Sequence, residues 1–174
     1  MLGAAAATLD THVTALYVNA RCVRAHGRMD VHRGTSMAAR LCCALLRLPT
    51  AGRDIPVTLA IGRRGDVERW WRRFGDDRPL VTSQHLAADG ALVKRYGVIE
   101  LRFVVSPYGG GLQWRSITTR LRIGPVAFRL PAPLLPTVRA VALPTDHAGI
   151  WVRVWITAPV IGPLLTYHGT IEQE

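Results

Sequence analysis

From Ile55 onward the chain alternates, and that alternation limits what it can fold into more than any other feature. Ile55, Val57, Leu59 and Ile61 interleave with Pro56, Thr58, Ala60 and Gly62, the period-two pattern of a strand with one buried face. Gly65-Asp66 supplies a turn, Val67–Phe74 a second strand, and the rhythm continues to the C-terminus. Further strands are expected at Leu80–Leu86, 91–96, 98–106, 112–123, 138–143, 150–157 and 164–172, roughly nine in all. Ala87-Ala88-Asp89-Gly90 and Pro107-Tyr108-Gly109-Gly110-Gly111 read as hairpin turns, and the proline-rich 124–136 stretch as an extended corner across an open end. Short links between many strands predict a mainly β (α+β) domain. Its antiparallel β-meander closes, or curves strongly, into a calycin-like barrel. A helix-grip fold is disfavoured because no long helix follows the strands.

Ahead of the meander the pattern changes period. Met37, Leu41, Leu45 and Leu48 form a stripe at helical spacing over 36–47, with Thr35 or Ser36 as cap and Pro49 as stop. An apolar 5–23 segment predicts a further helix, 28–33 a short extended piece, and 1–7 a frayed or helical start rather than a secretory leader. One or two N-terminal helices are thus expected to pack on or cap the barrel. The organisation expected is a single domain over 1–174, with a helical part at 1–49 and the meander at 55–174. In the 150–157 strand, Ile150, Val152, Val154 and Ile156 share one face and Trp151 and Trp155 the other. Both faces need cover, which predicts either a homodimer or the N-terminal helix over the tryptophans.

Charge raises a question of partner. The formal net charge is +10, but Lys94 is the only lysine among 22 basic residues, and the arginines are scattered. In Arg69-Trp70-Trp71-Arg72-Arg73, alternation sends the cations to opposite faces, whereas a nucleic-acid groove gathers cations and stacking rings on one. Nucleic acid is therefore not an expected partner. No apolar run approaches the ~18 residues that a spanning helix needs, so no membrane partner is expected either. Cys22, Cys42 and Cys43 suggest no disulfide framework, which points to reduced thiols and a cytoplasmic setting.

Motifs for known chemistry are missing. The six histidines lack metal-ligand spacing, Gly34-Thr35-Ser36 reads as a helix cap, and no nucleophile elbow or phosphate loop occurs. Neither a metal nor a cofactor is expected. The residues with chemical interest are charged and aromatic. Glu68, Trp70, Arg72 and Phe74 share one face of their strand; Val67, Arg69, Trp71 and Arg73 share the other. Glu100 and Arg102 raise the same question further on. The simpler account is cross-strand ion pairing on the barrel wall. The functional account gives Glu68, Arg72 and Glu100 catalytic roles, with Trp70, Tyr96, Arg102 and Tyr167 as ligand-binding residues. A one-residue error in facing would exchange the sets and bring in Arg69, Trp71 and Arg73.

Five segments together resemble a bacterial domain-of-unknown-function family that occurs alone or fused behind reductase-like or thiol-oxidoreductase-like domains. They are Val31-His32-Arg33-Gly34, Leu46-Arg47-Leu48-Pro49, the run from Glu68 to Gly75, Val93-Lys94-Arg95-Tyr96-Gly97, and the terminal run from Pro163 to Gly169. The resemblance implies a single β-rich domain and brings no activity with it. The function expected is binding of a hydrophobic small molecule in the barrel. Its sharper form is a cofactor-independent cyclase or isomerase of bacterial secondary metabolism. The rival is a non-catalytic interaction or ligand-carrier module partnering an oxidoreductase.

Overall fold

Val57, Leu59 and Ile61 are buried and Thr58 is exposed, as the alternation over this strand requires. The computed structural model describes residues 9–17, 22–129, 135–146 and 149–174; the 1–7 start and His147 lie outside them. In chain order the elements are α1 (Thr11–Tyr17), β1 (Cys22–Arg33), α2 (Met37–Leu45), β2 (Gly52–Arg64), β3 (Val67–Phe74) and β4 (Leu80–Leu86). There follow β5 (Leu92–Tyr96), β6 (Ile99–Tyr108), β7 (Gly111–Ile123), β8 (Val126–Arg129), β9 (Thr137–Pro144), β10 (Gly149–Ala158) and β11 (Gly162–Gln173).

Ten of these strands form a closed antiparallel up-and-down barrel with two short helices. Successive strands are neighbours around the ring, except that β7 pairs directly with β9 while β8 folds back on Arg120–Ile123 as a hairpin. The ring closes where β1 meets β11, from Ala25 opposite Gln173 to Arg33 opposite Leu165. Closure depends on two glycines. A Cβ on Gly27 would lie 2.0 Å from the Thr170 carbonyl oxygen, and one on Gly169 2.0 Å from that of Arg28. Only glycine lets these two backbones approach so closely while the sheet bends.

The N-terminal part differs from the sequence expectation. The 5–23 helix is confined, among the described residues, to Thr11–Tyr17, and the short extended piece is part of the twelve-residue β1. This strand and β8, which lies within the proline-rich corner, raise the expected nine strands to eleven among the described residues. Ser36 caps α2 as expected, its Oγ accepting from the Ala39 amide at 3.1 Å. The expected packing stripe, however, faces out: Met37, Leu41 and Leu45 are 80%, 61% and 73% exposed. The helix instead buries Ala39 against Leu164 and Ala158 on the outside of β11, and the Cys43 thiol donates to the Leu164 carbonyl at 3.2 Å. Small residues win because Gly34 holds the chain against Pro163, leaving no room for longer side chains.

Each end of the barrel receives a plug. Asp10 donates its amide to the Gly110 carbonyl at 2.8 Å, and Val13 and Leu16 of α1 are buried in the interior core. Thus α1 closes the end at the β6–β7 turn and does not cover the outer tryptophans. Those are half-buried beside their own sheet neighbours: Arg153 lies 4.6 Å over the Trp155 ring, and Trp151 packs near His168. At the opposite end the Leu46–Pro49 strap after α2 crosses the mouth, so the strap rather than the helix closes it. Arg33 Nε donates to the Pro49 carbonyl at 2.7 Å and its Nη2 to that of Leu48, while Thr50 binds Asp77 through its amide (2.6 Å) and hydroxyl (2.9 Å). Among the described residues no helix is long and apolar enough to cross a membrane.

Candidate functional site

Between the two plugs lies a cavity of about 180 Å³. Its walls differ in chemistry. Val138, Ala140, Val152, Val154 and Ile156 form an apolar wall from β9 and β10. Opposite, the inward positions of β3, β4 and β5 form a polar wall. Pairing sets Glu68 beside Gln84 and Gln84 beside Lys94 in one row, and Trp70 beside Thr82 in the next. Tyr17 reaches in from α1, its ring 5.6 Å from that of Trp70 and 5.0 Å from that of Trp114.

Of the two alternative faces of β3, the structure turns Trp70, Arg72 and Phe74 inward and leaves Arg69, Trp71 and Arg73 outside. Trp70, Arg72, Tyr96 and Tyr167 all line the cavity, and Tyr167 arrives there because β11 closes onto β1. Glu68 stands just behind the lining. Its Oε2 accepts from Gln84 Nε2 at 2.8 Å and from Trp70 Nε1 at 3.4 Å, and its Oε1 lies 3.8 Å from Arg63 Nη2. Glu100 and Arg102 do not join the site. They occupy the outward positions of β6, where Glu100 pairs with Arg122 Nη1 at 3.2 Å and Arg102 with Asp89. Ile99, Leu101 and Phe103 take the inward positions instead. Glu100 is thus in a cross-strand ion pair and Arg102 pairs with the turn between β4 and β5; neither lines the cavity.

Electrostatically the cavity is unusual. The Arg72 guanidinium lies 4.8 Å from the centre of the Trp70 ring, and its Nη1 makes one long hydrogen bond, 3.4 Å to Thr82 Oγ1. Lys94 Nζ lies 5.2 Å from the same ring centre. Burial, and then the positive field of Arg72, hold the Lys94 ammonium well below the usual lysine range, with Glu68 opposing. Lys94 keeps some accessible surface because it borders the cavity. Burial pushes the Tyr17 and Tyr167 phenols up, and Arg72 draws both back. At neutral pH both hydroxyls are therefore protonated and can donate. Tyr96, also raised by burial, donates its hydroxyl to the Leu46 carbonyl at 2.5 Å.

Tyr17, Thr82, Gln84, Lys94 and Trp114 were not among the expected site residues. Only Lys94 carried a sequence signal, as the single lysine in an arginine-rich chain. Among the described residues no group of three or more His, Cys, Asp or Glu side chains converges as a metal site would.

Fold and site together define a closed antiparallel β-barrel with an internal chamber that is apolar on one wall and cationic on the other. The chain belongs to the family described as Domain of unknown function (DUF4166), which it matches over residues 9–171. No curated protein and no solved structure matches it.

Proposed function

We propose that the barrel binds one hydrophobic small molecule between α1 and the strap. The observation that carries this reading is the chamber itself. Its volume of about 180 Å³ exceeds the ~150 Å³ apolar cavity that suffices to admit benzene. It also has the composition of a small-molecule site, mostly apolar and aromatic with a few convergent polar groups. That volume favours a ligand of one or two rings, or a short chain. The sharper form, a cofactor-independent cyclase or isomerase of bacterial secondary metabolism, draws on the same walls. The apolar wall would fold the substrate, and Arg72 with the Tyr17 and Tyr167 hydroxyls would stabilise charge developing on it. The three free cysteines support a cytoplasmic setting for it.

A second reading has its own observation. The outward Met37, Leu41 and Leu45 of α2 form an apolar face that a carrier or interaction module could present to an oxidoreductase, or to a second copy in a homodimer. Chamber and docking face are compatible in one protein.

Native mass spectrometry of the purified protein, followed by organic extraction, tests the binding reading. A stoichiometric adduct that extracts into solvent is expected. A protein of bare mass that also fails to take up any apolar probe would reject the reading.

A further inference from the structure

We propose that Arg72 and Lys94 form an anion seat in the chamber and that the natural ligand is an apolar molecule carrying a single carboxylate. This deepens the binding reading and rests on it. Among the described residues Arg72 is half-buried and has no carboxylate partner, and an arginine drawn away from water is seldom left unpaired. The inward carboxylate, Glu68, is already held by Gln84, Trp70 and Arg63. Two basic side chains therefore converge on one indole ring, at 4.8 Å and 5.2 Å, and Arg72 makes one long hydrogen bond, to Thr82.

A guanidinium partly withdrawn from water without a counter-ion is costly unless an anion completes it. Its planar fork suits a carboxylate, which it can engage with two parallel hydrogen bonds. Lys94 supplies the second contact. Burial and Arg72 disfavour its ammonium form, and a negative charge arriving beside it would favour that form again. With Lys94 protonated, Arg72 and Lys94 carry two positive charges and the neighbouring Glu68 carboxylate one negative charge, a net of one that balances a monoanion and not a phosphate dianion. The ionisable groups acting on Lys94 are Arg72 and Glu68, and the other ionisable side chains of the chamber are Tyr17, Tyr96 and Tyr167. The ligand's apolar body would lie along Val138, Val152, Val154 and Ile156.

The test uses matched probes: 2-naphthoate against 2-naphthalenemethanol, and octanoate against 1-octanol, titrated calorimetrically into wild type and Arg72→Met. Each acid is expected to bind about tenfold or more tighter than its alcohol. Arg72→Met should erase that preference and leave the alcohols within about twofold. If Arg72→Met does not fold, Lys94→Met takes its place and should narrow the preference of each acid over its alcohol while leaving the alcohols within about twofold. Equal binding of acid and alcohol would overturn the seat and leave the binding reading standing. No binding by either pair would overturn both.

Discussion

The Tyr96 hydroxyl donates to the Leu46 carbonyl across 2.5 Å and so ties the polar wall of the chamber to the strap across its mouth. A neutral hydrogen bond of this kind is worth about 0.5–1.5 kcal/mol. Tyr96→Phe should cost about that much in urea unfolding and should speed amide exchange selectively in the strap, residues 46–50. Uniformly faster exchange across the barrel would show that Tyr96 serves the whole fold instead.

The orientation of α2 makes opposite predictions for two of its faces. Leu41→Asp alters a residue 61% exposed and should change stability by less than about 0.5 kcal/mol. Ala39→Leu forces a larger side chain between α2 and β11, where Ala39 is fully buried, and should cost about 1–3 kcal/mol. The reverse ranking would mean that the Met37–Leu41–Leu45 stripe is the packed face.

Closure of the ring depends on bare backbone at the β1–β11 seam. Gly27→Ala and Gly169→Ala each place a methyl 2.0 Å from a carbonyl oxygen of the opposite strand. Each should therefore destabilise by about 2 kcal/mol or more. Gly65→Ala, in an open turn where no neighbour lies within 4 Å but φ is +60°, should cost only about 1 kcal/mol. Chemical denaturation of the three variants measures the difference.

How much of this was legible follows from particular residues. Alternation in β2 and β3 announced the barrel and reduced the site to two mirror sets, Glu68-Trp70-Arg72 or Arg69-Trp71-Arg73. Choosing between them required the closed sheet. Strand β1 does alternate, but its inward positions include Ala25 and Gly27, which give a weak hydrophobic signal. The α2 stripe misled because a helix docking through Ala39 and Cys43 buries its smallest residues, against the usual rule of burying the largest. Strand β4 gave no facing signal, since the inward Thr82 and Gln84 alternate with the equally polar Ser83 and His85.

Lys94 should tie stability to pH. Its ammonium is destabilised in the folded barrel by burial and Arg72, partly offset by Glu68, so the folded-state value lies below the unfolded one. Between that lowered value and the ordinary lysine value of about 10.4, the unfolded chain holds the extra proton, so this residue's contribution rises with pH through the window. Lys94→Met should remove that slope and raise stability at neutral pH by on the order of 1 kcal/mol or more. An unchanged slope in denaturation midpoints between pH 6 and 9 would place Lys94 in water.

The most direct test of a ligand chamber inside the barrel is methyl-resolved NMR during titration with 2-naphthalenemethanol, which carries no charge and so does not depend on Arg72. Saturable shifts, at one-to-one stoichiometry, are expected in the methyls of Val138, Val152, Val154 and Ile156. Shifts confined to outward methyls such as Met37, Leu41 and Val126, with the interior set unmoved, would contradict it.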